Sequence, residues 1–165
     1  MITQMHQLSK ELIIKGFIQK FGSELTALVQ SAKAAHLAAT HEESKAEDRH
    51  DTFAIEASYL AAGQAVRVAE LEKTLQEFEA YLSAGVTHTK ITLGALITYQ
   101  LDGQTFHAFV AMLGGGSKIQ FDATIIQVLS LQSPLGETLE GYKSGEEIEF
   151  EVRGVEKTYK VISIH

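Results

Sequence analysis

The chain has 165 residues, 14 basic against 21 acidic side chains, a net charge of −7 and no cysteine. That length permits one globular domain plus an extended element, or two small domains. The acidic balance argues against tracking a nucleic-acid backbone through a basic surface, and the missing cysteines exclude disulfides, redox thiols and thiolate zinc sites. No window approaches the roughly 20 apolar residues of a membrane span, and the first residues do not form a basic segment followed by an apolar run, so a cytoplasmic protein without a membrane partner is expected.

Two helices come first. Ile14, Ile18, Phe21, Leu25, Leu28, Ala32, Ala35 and Ala39 step by alternating fours and threes, and so do Ala54, Ala57, Ala61, Gln64, Val68, Leu71, Leu75, Phe78 and Leu82. This alternation is a coiled-coil seam. It predicts one helix from about Ser9 to Thr40 and another from about Thr52 to Ser83, each about 45 Å long at 1.5 Å per residue. Folding back antiparallel pairs Ala39 with Ala54, Ala32 with Ala61, Leu25 with Val68 and Ile18 with Leu75, and every pair is centred on a turn near Ala46 and Glu47. Bulky partners hold the base, whereas alanines near the turn allow the backbones to approach closely. Around the turn lies a cluster of carboxylates, Glu42, Glu43, Glu47, Asp48 and Asp51. A solvated loop with Asp51 capping the second helix explains these acids without any function.

After Ser83-Ala84-Gly85 the hydrophobic period changes from that of a helix to two, the period of a strand. Ile91 to Leu101 and Thr105 to Leu113 are strand candidates around Asp102-Gly103, a hairpin signal. Gly114-Gly115-Gly116 marks a flexible loop before a strand from Thr124 to Ser130. It lacks the Gly-Lys-Ser/Thr and helix start of a phosphate loop. A short amphipathic helix from Glu137 to Tyr142 follows Ser133-Pro134-Leu135-Gly136, a turn sequence in its own right. Glu147 to Val152 and Thr158 to Ile164 complete the strands. The expected fold class is therefore α+β: an antiparallel coiled-coil hairpin at 1–83 with an acidic tip near 41–51, then at 84–165 a small antiparallel sheet with a short helix. The seven histidines are scattered without metal-ligand spacing.

Two segments carry a resemblance to a known family. Ser133-Pro134-Leu135-Gly136, the short helix, Gly145-Glu146 and the strand from Glu147 resemble the pattern of the GreA/GreB transcript cleavage factors, and Arg67-Val68-Ala69-Glu70-Leu71-Glu72-Lys73-Thr74-Leu75 is similar to the end of their hairpin. The resemblance implies a coiled-coil hairpin followed by an FKBP-like domain. It further implies a monomeric accessory factor that is not itself an enzyme and has RNA polymerase as its partner. In that family the hairpin enters the polymerase's secondary channel, where two tip acids help to hold a magnesium ion of the polymerase active site near the RNA 3′ end. One or two carboxylates suffice when the partner supplies the remaining oxygen ligands, so no cofactor of the chain's own is expected.

Carried onto this sequence, the family's Asp-x-x-Glu pair falls, counting back from Arg67 without a gap, on Glu47 and His50, and His50 is no carboxylate ligand for magnesium. A shift of one residue gives Asp48-x-x-Asp51, an acid pair on one face of a helical turn. The resemblance thus nominates Asp48 and Asp51, with Glu47, as tip acids acting in trans and sharing magnesium with the polymerase. It nominates Ser133, Pro134, Leu135 and Gly136 as the partner-docking loop, to be supported by an exposed Leu135. Competing readings are a channel-binding inhibitor of the same fold and a peptidyl-prolyl isomerase or chaperone. The isomerase reading would place Tyr99, Phe106, Phe109, Phe121, Phe150 and Tyr159 in a proline pocket, although aromatic residues at strand spacing are more often core. The chaperone reading requires exposed apolar residues along the arms.

Overall fold

The computed structural model describes residues 9–42 and 50–165, with side chains at 9–37 and 61–165. Two helices, α1 (Lys10–Glu42) and α2 (His50–Ala84), precede six strands and one short helix. The chain divides into two compact units. One takes in the chain up to Ile18 together with Glu77–His165, and the other is Gln19–Gln76. Neither cut falls in the linker after Ser83; both run through the helices.

Within the unit Gln19–Gln76, the seam is legible in burial. Phe21 and Leu71 are buried, and Leu25, Leu28, Ala32, Gln64, Val68 and Leu75 are half-buried, while Ser23, Ala27, Ala62, Arg67 and Lys73 between them are exposed. Ala32 and Ala61, paired by the alternation, line the same groove. Leu71→Ala is expected to destabilise this unit by about 2–5 kcal/mol, read as a lower midpoint in denaturant with helical signal lost first.

The alanine section differs from expectation. Ala35 and Ala61 are exposed, and the arms leave an apolar groove of about 710 Å³ lined by Val29, Ala32, Leu37, Ala65 and Val68, with Lys33, His36 and Glu72 among its polar members. A methyl group removes little area from water when it is covered. Alanine pairs therefore supply too little burial to draw two helices into contact, and the groove is left open.

The other unit is built on a mixed sheet of order β3-β4-β2-β1-β6-β5, comprising β1 (Leu96–Leu101), β2 (Gln104–Ala111), β3 (Lys118–Phe121), β4 (Thr124–Ser130), β5 (Glu147–Val152) and β6 (Val155–Ile164). All neighbours are antiparallel except β2 and β4, which run parallel with Phe109 opposite Val128. The expectation of a purely antiparallel sheet is corrected at that pair. Parallel neighbours need a return limb between them, and β3 supplies it at the outer edge. The three glycines make the turn into β3 and are tied down: Gly116 N donates to Val128 O at 2.9 Å and Ser117 N to Gly114 O at 3.1 Å.

The Asp102-Gly103 hairpin forms as expected, both residues having positive φ (51° and 76°) between the paired Leu101 and Gln104. Arg153-Gly154 repeats the same turn, so β6 begins at Val155 rather than Thr158. β1 begins at Leu96 rather than Ile91, because Gly94 turns the backbone through φ +81° under the Tyr81 ring. The short helix α3 (Pro134–Leu139) starts three residues earlier than the expected Glu137.

Strand alternation gives the sheet two apolar faces. On one, α3 covers Ile97, Val110, Ile148 and Val161 with Leu131 and Leu139. On the other, Phe109 receives the bases of the two long helices: its ring centroid lies 6.2 Å from Phe17, 5.3 Å from Phe78 and 5.5 Å from Tyr81. Gly16 lets α1 lie on β3, since a Cβ there would sit 3.0 Å from Ile119 Cδ1.

Candidate functional site

Of the nominated tip acids, Glu47 and Asp48 lie outside the described residues. Asp51 falls in the first turn of α2, its side chain outside them as well. Among the described residues, no group of three or more His, Asp or Glu is placed to hold a metal ion, and no helix is long and apolar enough to cross a membrane.

The second nominated element, Ser133 to Gly136, is fully described. The chain leaves β4 at Ser130, whose Oγ donates to Met112 O at 3.0 Å. Leu131 N donates to Ala111 O at 3.0 Å, so the turn is anchored on the end of β2. Ser133 is the N-cap of α3: its Oγ accepts from Gly136 N at 3.1 Å and donates to Ser130 O at 2.6 Å. Such a cap satisfies one of the amides that a helix start leaves unpaired. Pro134 occupies the first helical position, where no amide hydrogen is needed. Gly136 packs so tightly that a Cβ would stand 2.0 Å from Ser130 O and 2.8 Å from Leu131 Cα.

Each residue of this motif therefore has a local structural reason. Leu135 is half-buried against the α3-face core rather than exposed, because the early helix start turns it toward the sheet. Its position does not by itself argue for docking. Gln132, Pro134 and Glu137 are the exposed members of the turn.

The aromatic residues separate between the two faces. Phe109 is buried under the helix bases, whereas Phe106, Tyr99, Tyr159 and Phe150 form a run on the other face, beginning with Phe106 stacked on Tyr99 at 5.5 Å. Phe121 sits on the edge strand β3. The six do not converge on one pocket, so the proline-pocket grouping does not form.

Sequence reading missed Glu77. Its Oε1 accepts from Met112 N at 2.7 Å and its Oε2 from Leu113 N at 2.9 Å, and the Tyr81 hydroxyl also donates to Oε1. Burial, followed by the neighbouring carboxylate, pushes the Tyr81 hydroxyl well above the ordinary tyrosine range. Only the four-residue spacing to Tyr81 was visible in the sequence. Lys10 was missed as well: its Nζ donates to Val86 O at 2.6 Å, and burial lowers its pKa.

The sheet unit, with its capped α3 turn, has a counterpart in a known family. The family model described as "Transcription elongation factor, GreA/GreB, C-term" matches residues 86–165. By that match residues 86–165 form a domain of the GreA/GreB C-terminal type. Proteins of the GreA/GreB family are accessory transcription factors rather than enzymes in themselves. Among solved structures, the chain is similar to Gfh1 of Thermus aquaticus (18% identity, 91% of this chain and 94% of that one, TM-score 0.36). It is also similar to the GreA factor homolog Gfh1 of Thermus thermophilus (17%, 90% and 94%, TM-score 0.34). A GreA/GreB factor from Nitrosomonas europaea matches at 15% identity over 49% of this chain and 64% of its own, with a TM-score of 0.35. Among curated proteins, none matches the chain by sequence.

Proposed function

We propose that this chain is a transcription regulator that docks on RNA polymerase through its GreA/GreB domain and carries the acidic turn of its hairpin into the polymerase's secondary channel. The observation that carries the reading is the match of residues 86–165 to the GreA/GreB domain on a chain whose preceding residues form two long helices. In this reading Asp48 and Asp51, with Glu47, act in trans on a magnesium ion that belongs to the polymerase, near the 3′ end of the nascent RNA. The docking loop is Ser133 to Gly136, met through the exposed Pro134 and its exposed flanking residues Gln132 and Glu137. The chain works as a monomer in the cytoplasm, where the polymerase is.

A paused elongation complex with labelled RNA tests the proposal. Wild-type protein is expected to alter the fate of the RNA, and the double substitution Asp48→Asn, Asp51→Asn is expected to retain polymerase binding while losing at least about tenfold of that effect, a change of about 1.4 kcal/mol in transition-state stabilisation. Shortened transcripts mean cleavage; stalled extension without shortening means inhibition. The inhibitory form has one observation in its favour, His50 at the position where the gapless count from Arg67 requires an acid. Full activity in the double variant would return these acids to loop solvation and helix capping.

The chaperone alternative also has an observation on its side, the apolar groove between the arms with Leu37 61% exposed and Val66 60% exposed on the flanking helices. It requires the protein to suppress aggregation of an unfolded client with no polymerase present.

A further inference from the structure

We infer that Glu77 is a latch that fixes the last turns of α2 to the end of strand β2. The latch rests on geometry within the sheet unit. Met112 and Leu113 directly follow the last residue of β2. Both of their amides turn toward one carboxylate, Met112 N to Oε1 at 2.7 Å and Leu113 N to Oε2 at 2.9 Å. Two hydrogen bonds from consecutive amides to an ionised acceptor are stronger and more directional than neutral pairs. They span 35 and 36 positions of sequence, so they join elements that lie far apart along the chain.

The neighbouring contacts are of a different kind. Tyr81, one helical turn on, donates its hydroxyl to the same carboxylate and lays its ring against Phe109 at 5.5 Å. Phe78, next to Glu77 in sequence, is buried against the same ring at 5.3 Å. The apolar contacts set how close the helix lies, but they are non-directional; the carboxylate selects one rotation and one height of α2 against β2. The compact sheet unit accordingly takes up α2 again at Glu77 itself. Any separation of the last turns of α2 from the end of β2 would have to break both amide bonds.

Amide exchange measured by NMR on the full chain, for wild type, Glu77→Gln, Glu77→Ala and Tyr81→Phe, tests the latch. Glu77→Ala is expected to speed exchange at Met112 and Leu113 by about tenfold or more, the loss of a charge-assisted hydrogen bond, while Val161 in the sheet centre stays protected and reports that the domain is folded. Glu77→Gln keeps one acceptor oxygen and turns an amino group on the second amide, so it should fall between. Tyr81→Phe should move the two amides less than either. Unchanged exchange at Met112 and Leu113 in Glu77→Ala would overturn the latch.

Discussion

Gly136→Ala is expected to destabilise the sheet domain by about 3 kcal/mol, at the upper end of overpacking effects. The added methyl would stand 2.0 Å from the Ser130 carbonyl oxygen and 2.8 Å from both Ser130 C and Leu131 Cα. All three are backbone atoms and none can rotate away as a side chain could. Relief requires α3 to lift from the end of β4, which breaks the Ser133 cap and uncovers Leu139 and Leu131. Denaturant unfolding followed by circular dichroism should show a lower midpoint at unchanged slope. A stability within about 0.5 kcal/mol of wild type would mean that the turn yields easily and that the glycine there is no steric requirement. The same substitution bears on any docking experiment at this loop: loss of polymerase binding by a Gly136 variant reports a damaged fold, whereas changes at the exposed Pro134 or Glu137 probe the surface itself.

The parts of the fold that repeat locally were legible in the sequence. Seam spacing placed both long helices to within two residues at each end, since every turn of the pattern restates the assignment. Asp102-Gly103 fixed a hairpin because both residues tolerate the left-handed backbone that such a turn needs. Single, non-repeating choices were not legible. β3 is four residues long, lies at an edge and follows three glycines, so no alternation has room to declare it, and with it went the parallel pairing of β2 and β4. The candidate site divides in the same way. Ser133-Pro134-Leu135-Gly136 was conspicuous as a motif, but its burial and capping depended on where α3 starts. Glu77 reads in sequence as one more polar residue of an exposed helix, because its partners are backbone amides far along the chain, and a backbone amide has no residue type to announce it. The acids of the turn were visible in the sequence but their role was read from the resemblance, and they lie where side chains are not described.

Phe109→Ala is expected to cost about 3–5 kcal/mol and to do so in one cooperative step. The ring is fully buried and is the common neighbour of Phe17 from α1 and of Phe78 and Tyr81 from α2. Its removal takes away the transfer energy of an aromatic side chain and three ring contacts together, and it leaves a cavity walled by two helices and a strand. The packing is rigid on the sheet side, where Phe109 pairs with Leu96 on β1 and Val128 on β4, so little collapse into the void is available and the upper part of the range is expected. If the helix bases and the sheet share one core, thermal unfolding read at helical and at tyrosine wavelengths should shift by the same amount in the variant. Should the helical signal melt early while the tyrosine signal holds its wild-type midpoint, the base of the hairpin is an attachment to a separately stable sheet, and the cooperative core assigned to Phe17, Phe78 and Phe109 is wrong.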